Sequence, residues 1–272
     1  CIAQGEQVGV HALIEAAGMS GRKLDSIDLA FGLAPRINAA GRLGQTDLAM
    51  ELLLCDRQSQ AMELAQQLNE LNEQRKALVD HIYEEINAKI ARHPEILQER
   101  VILLYGEGWH HGVIGIAAAR LVEEYSKPCV LFSIEEDQAR GSARSVEGYS
   151  IIAAISRCSS LLTRYGGHDQ AAGMTVPVEH LREFIDQMLQ DVREHFDLMP
   201  VDQLKIDAVV DAEQLNLKTV YGMQQLRPFG CGNEQPVVAM PGCRIEAICP
   251  LSENRHLRQV GGQAVLGRQP LV

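Results

Sequence analysis

Val101-Ile102-Leu103-Leu104-Tyr105, followed by Gly108-Trp109-His110-His111-Gly112-Val113-Ile114-Gly115, is the stretch on which the fold turns. The unbroken apolar run predicts a strand buried on both faces, and the glycine-bracketed segment after it passes into helical spacing from Gly112 to Tyr125. Pro128 to Ser133 then supplies a second apolar strand. A strand–helix–strand rhythm of this kind predicts an α/β domain with a largely buried sheet. The start of the intervening helix would carry free backbone N–H groups, which favour an anion.

Two downstream segments share that preference. Gly141-Ser142-Ala143-Arg144-Ser145 places a hydroxyl, a guanidinium and a second hydroxyl close together, and arginine can hold phosphate oxygens bidentately where lysine cannot. Gly166-Gly167-His168-Asp169-Gln170-Ala171-Ala172-Gly173 sets two glycines and an imidazole ahead of small residues. Glycine allows close backbone approach to a ligand, and successive N–H groups beside a histidine donor form an anion-binding concavity. A plain glycine turn beside a core histidine is the alternative. Three separated segments predict one composite phosphate site. Arg144 is its first candidate, a surface salt bridge being the other use of that residue. His168 is either a phosphate ligand or transition-state donor, or a histidine capping a turn. Ser142, Ser145, Gly166 and Gly167 join them, and His110 can reach a phosphate or base. Trp109 stacks on a base or packs in the core, with core packing favoured; His111 is assigned to the surface. A zinc site built from His110, His111 and His168 is set aside, because adjacent histidines in an extended segment face opposite ways and no carboxylate motif completes the set.

Toward the N-terminus, Val10 to Leu54 reads as short helices between turns, with Gly18 and Gly21 as breaks, an apolar stretch from Ser26 to Pro35, and Thr46 as N-cap of a helix to Leu54. Arg36 and Arg42 lie in a segment, Gly32 to Gln45, that contains no acid. Arg42, in an Asn-x-x-Gly-Arg turn, is expected to face a cleft; Arg36 contacts ligand or braces its loop. Gln58 to Ala91 holds no Gly or Pro and carries Leu64, Leu68, Leu71, Leu78 and Ile82 at helical spacing, with Arg75 interrupting the stripe. It predicts a long rigid spacer, since the stripe is too short and broken for a coiled coil. Further helices are expected at Gly148–Leu162 and Glu179–Phe196. A β-rich module begins near Leu204 and reads as partial, because alternating strands stop soon after His256. The expected boundaries are 1–56, 57–98, 99–200 and 201–272.

The 272 residues are 46% hydrophobic and 22% charged, ordinary for a soluble chain of more than one domain. A net charge of −11 argues against bulk polyanion binding. Between Ala139 and His168, however, Arg140, Arg144, Arg157 and Arg164 face a lone acid, Glu147. A focused positive groove on an acidic body suits a threaded single strand; Arg157 and Arg164 are expected to decorate helix surfaces. Seven cysteines without a Cys-x-x-Cys pair point to a reduced, cytoplasmic protein without structural zinc. No membrane association is expected, because Arg120 and glycines interrupt the best apolar run.

Trp109-His110 through Arg120, the Gly-Ser-x-Arg-Ser run and the Gly-Gly-His-x-x-Ala-Ala-Gly run together resemble the DHHA1 domain of the DHH phosphoesterases. Leu33-Ala34-Pro35-Arg36-Ile37-Asn38-Ala39-Ala40-Gly41-Arg42-Leu43 resembles the RecJ branch, the bacterial single-stranded-DNA exonucleases. Pro228-Phe229-Gly230, with Gly232, Asn233 and Pro236, resembles the start of that family's OB-fold. The resemblance extends from about Gly9 to His256. It implies an α/β chain made of the tail of a DHH domain, a long connecting helix, a DHHA1 domain and a partial OB-like module. It also implies 5′ to 3′ phosphodiester hydrolysis on single-stranded DNA in repair and recombination, with Arg144 and His168 at the reacting phosphate. Arg36, Arg42, His110, Ser142, Ser145, Gly166 and Gly167 would line the strand. Mn²⁺ or Mg²⁺ would serve the intact enzyme, held by aspartates and histidines of the DHH domain. Single-strand-binding protein or a helicase are the implied protein partners of a monomer.

No Asp-x-Asp occurs, and the Asp-His pair Asp80-His81 is followed by Ile82 inside the long helix. The expectation is therefore the C-terminal portion of a RecJ-like enzyme, without metal ligands of its own and inactive alone. Two alternatives stay open: a different DHHA1 hydrolase acting on short oligonucleotides or cyclic dinucleotides, and a non-catalytic single-strand-binding module. The Pro-Arg-Ile-Asn-Ala-Ala-Gly-Arg segment and the long helix argue against the first. A synthetase appendage is least supported, since no synthetase-like segment is present.

Overall fold

Small side chains let the first helices lie close together. In the computed structural model, which describes residues 7–21, 23–196, 204–251 and 256–263, α1 (Val8–Ala16), α2 (Ala34–Arg42) and α3 (Thr46–Leu54) pack around one end of α4 (Gln58–Arg92). Ala12, Ala39, Ala40, Ala61 and Ala65 are buried there between Leu13, Leu52 and Leu68. The stretch from Ser26 does not stop at Pro35. A π-helical turn, Asp28–Leu33, feeds straight into α2, and Pro35 sits in the first turn of that helix, where a missing N–H costs no bond. Arg36 and Arg42 therefore belong to a helix rather than to a loop and a turn. At α3 it is Gln45, not Thr46, that occupies the N-cap position, a one-residue offset ordinary at helix ends.

The 35 residues of α4 form a rod about 50 Å long. Leu64, Leu68 and Leu71 face the first three helices, while Val79, Ile82, Tyr83, Ile86 and Ile90 face the next layer. The helix is thus part of two cores along its length, not a bare spacer. Arg75 marks the changeover, its Nε and Nη2 donating to the Oδ1 of buried Asn72 at 3.3 and 3.1 Å.

The sheet follows: β1 (Ile102–Glu107), α5 (His111–Tyr125), β2 (Cys129–Glu135), β3 (Gln138–Arg144), α6 (Ile151–Arg157), β4 (Arg164–His168), β5 (Ala171–Pro177) and α7 (Val178–His195). Its strand order is β1-β2-β3-β5-β4. β1 and β2 run parallel around α5, as their apolar runs predicted, whereas β3, β5 and β4 are joined antiparallel. The sheet is consequently mixed and only partly buried. On one face α5 and α4 cover β1 and β2; on the other, α6 and α7 cover the core around Phe132, Ala143, Met174 and Val176. Phe132 and Phe184 meet edge to face with centroids 5.6 Å apart in that core.

The helix expected over Gly148–Leu162 is shorter than its pattern. Ser150 caps α6, which ends at Arg157, and a 3-10 turn spans Ser159–Leu161. Arg157 lies exposed on its helix, as expected, but it is also held by a buried partner. Its Nη2 donates to Asp191 Oδ2 at 2.7 Å, and the Tyr149 hydroxyl donates to the same oxygen at 3.2 Å. Asp191 is buried, so these bonds fasten α6 to α7 and satisfy a carboxylate that would otherwise be costly to bury. Burial, and then the Asp191 charge, push the Tyr149 hydroxyl well above the usual tyrosine pKa.

Residues Cys1–Asp202 and Gln203–Val272 form two compact units. In the second, β6 (Ala208–Val209) pairs in parallel with β7 (Val238–Ala239), and Asn216 caps α8 (Leu217–Gln224). β8 (Cys243–Leu251) and β9 (His256–Gln263) form an antiparallel hairpin with a register shift between Ile245 and Ala247. Asn233 Nδ2 donates to the carbonyls of Leu226 and Pro228 at 2.9 and 2.8 Å, which gives the Gly-x-Gly-Asn segment a loop-closing role. Among the described residues the strands of this unit make two separate two-stranded sheets rather than a closed five-stranded barrel.

Candidate nucleic-acid interface

Strand register brings the separated sequence segments together. Ala171 pairs with Arg144 on one side and His168 on the other; Gly173 pairs likewise with Ser142 and Gly166. Residues paired across a ladder, and residues two apart along a strand, share a face. Arg144 and His168 therefore stand in one cross-strand row, their Cα atoms about 10 Å apart by two strand spacings. Ser142, Gly173 and Gly166 form the next row, nearly without side chains. This is the face opposite the Ala143, Ala172 and Met174 core, beyond the edge of α5. The expected glycine loop is in fact strand β4 and the start of β5, with Asp169-Gln170 as the connection. That connection is tied down, since the Ser145 N–H donates to Gln170 O at 2.9 Å and the Ile151 N–H to Asp169 O at 3.0 Å.

The wall of the site is α5, and its glycines set the distance. A Cβ on Gly112 would lie 2.0 Å from the Arg42 carbonyl oxygen; one on Gly115 would lie 2.7 Å from Ser142 Oγ and 2.9 Å from Arg144 Nη2. Being three apart, the two glycines lie on one face of the helix. They let α2 press on one side of the first turns and β3 on the other. Arg42 Nη1 donates to Gly112 O at 3.2 Å, and Arg144 Nη1 donates to Ala143 O at 2.7 Å and to Ser142 Oγ at 3.3 Å. Among the described residues neither arginine is in an ion pair. Burial first, and then the like charge of Arg42, hold the Arg144 guanidinium below its ordinary pKa; the same two causes act on Arg75. Converging guanidiniums without a carboxylate make a region that an anion would relieve.

His168 is exposed, and its Nδ1 accepts from the Gln170 backbone N–H at 3.3 Å. The neutral ring therefore carries its proton on Nε2, a donor free of the turn. His110 has a local duty as N-cap of α5, its Nδ1 accepting from the Gly112 N–H at 3.1 Å. Arg36 braces, with Nε on Asn69 Oδ1 at 2.9 Å and Nη1 on the Gly32 carbonyl at 2.6 Å. Ser145 departs from its expected role. It is buried, and its hydroxyl donates to the Tyr149 carbonyl at 2.7 Å. Ser145→Ala should accordingly lower stability by about 1 kcal/mol and leave oligonucleotide binding unchanged. A urea unfolding midpoint measured beside a binding titration checks this; weakened binding at unchanged stability would restore Ser145 to the site. Trp109 is core, 2% exposed, with Nε1 donating to Glu85 Oε2 at 2.8 Å.

Three further residues line the site: His111 and Arg164, which the sequence reading left on the surface, and Arg140, which it counted only toward a positive groove. A cavity of about 480 Å³ opens over the open half of the sheet, lined among others by His111, Arg140, Ser142, Arg164 and Gly166. His111 Nδ1 meets Glu135 Oε1 at 2.9 Å, and Arg140 Nε lies 3.6 Å from Glu135 Oε2. The hydrogen bond from His111 is the largest cause holding the Glu135 carboxyl below its usual range, with the charges of His111 and Arg140 adding to it. Arg140 pairs with Thr175 and Thr175 with Arg164, so these residues face the cavity as a third row. The acid-poor composition of Ala139 to His168 was the signal for Arg140 and Arg164, and nothing in the sequence singled out His111. Among the described residues no three His, Cys, Asp or Glu side chains are grouped to hold a metal ion, so these residues do not fit a Mn²⁺ or Mg²⁺ centre. No helix of the described residues is long and apolar enough to cross a membrane.

Residues 98–194 match the DHHA1 domain and residues 206–264 the RecJ OB domain. The chain is 31% identical over 254 residues to the single-stranded-DNA-specific exonuclease RecJ of Bacillus subtilis strain 168, covering 92% of this chain and 32% of that protein. Against the protein of the same name from Escherichia coli K12 the identity is 34%, over 82% of this chain and 40% of the relative. The chain thus spans about a third to two fifths of the length of these relatives. The crystal structure of RecJ in complex with Mn²⁺ from Thermus thermophilus superimposes with a TM-score of 0.82 at 29% identity, covering 100% of this chain and 40% of that one. The Mg²⁺ complex from the same organism gives 0.79 at 28% identity, over 99% and 42%.

Proposed function

The chain belongs to the RecJ family of DHHA1-domain proteins, and from that premise we propose that it is the substrate-holding part of a metal-dependent, single-stranded-DNA-specific exonuclease. The observation that carries this reading is the cross-strand row of Arg144 and His168, set beside an Arg42 that, like Arg144, has no carboxylate partner among the described residues. A phosphodiester needs charge and directional donors together. Arg144 and Arg42 supply charge, the His168 Nε2–H supplies a neutral donor, and the Ser142–Gly173–Gly166 row leaves room for sugar and base. Contacts of this kind hold the phosphorus at a fixed position, and any that tighten as charge builds on its oxygens accelerate the reaction. The metal ions that relatives carry would be held by residues other than those described, so every role assigned to this chain is binding and orientation. The 5′ to 3′ direction, a place in DNA repair and recombination, and single-strand-binding protein or a helicase as partners extend the same reading from the relatives.

Two measurements test it. Binding of single-stranded oligonucleotides to the purified chain should be weak, should prefer single strands over duplex, and should weaken as salt rises with a shallow slope set by few phosphate contacts. Salt-independent or duplex-preferring binding would overturn the groove. With Mn²⁺ or Mg²⁺ added, the chain alone should release no nucleotides from labelled single-stranded DNA. Metal-dependent degradation that persists through repurification would defeat the assignment of a substrate-holding part. The alternative of a cyclic-dinucleotide hydrolase predicts saturation by dinucleotides, whereas a strand-binding groove predicts affinity that keeps rising with length.

A further inference from the structure

The row formed by Arg140, Thr175 and Arg164 points to a second phosphate position, and we infer that one single strand bridges both ends of this sheet face. The inference rests on the reading above that Arg144 and His168 hold a phosphate. Arg140 lies four residues before Arg144 on β3, and Arg164 four before His168 on β4. Both cationic rows therefore share a face and stand about 13 Å apart along the strands. Between them lies the Ser142–Gly173–Gly166 row, where a strand can cross without meeting a bulky side chain.

The cavity of about 480 Å³ covers the middle and third rows. It is therefore a built concavity at the end of the face away from Arg144. Within the third row the two arginines differ. Arg140 shares Glu135 with His111, whereas Arg164 is exposed on the edge strand and, among the described residues, in no ion pair. An edge strand with a free guanidinium beside a glycine row is a poor device for stability and a good one for following a polyanionic backbone. The two cationic rows and the bare row between them define a track a few nucleotides long, with the ligand recognised by its phosphates and not by its bases.

The test is the salt dependence of binding of an oligothymidylate of about a dozen nucleotides to the full 272-residue chain. Arg164→Ala should bind several-fold more weakly at low salt, with the log–log slope shallower by about one. Arg144→Ala should do the same separately, and the double variant should lose both increments. Arg182→Ala, which removes an exposed arginine of α7 on the far side of the sheet, controls for net charge and should leave the slope unchanged. Thermal unfolding of Arg164→Ala should match the unsubstituted chain, because its side chain lies on an exposed edge. An Arg164→Ala variant with unaltered affinity and slope, beside an impaired Arg144→Ala, would overturn the second position and leave the first standing. Unaltered behaviour of both variants would remove the underlying phosphate site and this proposal with it.

Discussion

Arg144→Ala is expected to weaken single-strand binding by roughly 1.5–3 kcal/mol, because it deletes a charge-assisted and bidentate-capable contact. Folding should not suffer in proportion. Arg144 makes its hydrogen bonds to a neighbouring carbonyl and hydroxyl, and its charge is opposed by burial and by Arg42. Stability should stay level or rise slightly while affinity falls, a split that a merely structural arginine would not show. Arg144→Lys should recover little, since an ammonium cannot span two phosphate oxygens in one plane. His168→Ala should cost binding less and, placed in a longer active relative, should lower turnover more than affinity. Under the proposal that both residues serve one phosphate, the double variant should depart from additivity. Wild-type binding by both single variants, with unchanged folding, would reduce the β4–β5 hairpin to a scaffold.

Trp109→Ala is expected to destabilise the chain by about 3–5 kcal/mol. The indole is 2% exposed and packs where α4, β1 and α5 meet. Its loss would also remove one donor to Glu85, whose other oxygen stays 3.1 Å from His81 Nε2, and the ring beneath Lys89 Nζ, which lies 5.1 Å from its centroid. The cavity would form directly beneath the start of α5, so the first turn holding Gly112 and Gly115 against Arg42 and Arg144 should loosen, and binding should fall with it. Urea unfolding reports the cost, and Trp109→Phe should recover most of it. Since this is the single tryptophan, oligonucleotide binding should barely change its emission. A strong change on binding, with a cost below about 1 kcal/mol for the alanine variant, would place the indole against a base instead.

Local pattern was enough to read the helices and the buried strands. The Gly- and Pro-free run from Gln58, the apolar runs of β1 and β2, and the amphipathic α7 each carry their own periodicity, and each folds within a few residues of its expected bounds. Strands β3 and β4 carry no such signal. Gln138–Arg144 and Arg164–His168 are rich in Gly and Arg, with too few apolar residues to alternate. They are strands because β5 pairs with both, a condition invisible to any window shorter than the hairpin.

The same division runs through the site. The candidates Arg144, Ser142, His168, Gly166 and Arg42 come from residue type, spacing and the shortage of nearby acids, and the fold does bring them together. Side-chain direction was not. Ser145, next to Arg144, turns inward because successive strand residues face opposite ways. Arg157 and Arg164 look alike in sequence, yet one closes on buried Asp191 and the other, among the described residues, is in no ion pair at the sheet edge. Arg36 and Arg42 lie on the same short helix, but Arg36 is taken up by Asn69 and Gly32 whereas Arg42 reaches α5. Sequence alone determined which residues this protein could offer to a phosphate. Tertiary structure decided which of them share one face, because cross-strand register and two close glycine contacts, set by residues far apart in the chain, choose the face on which each side chain emerges.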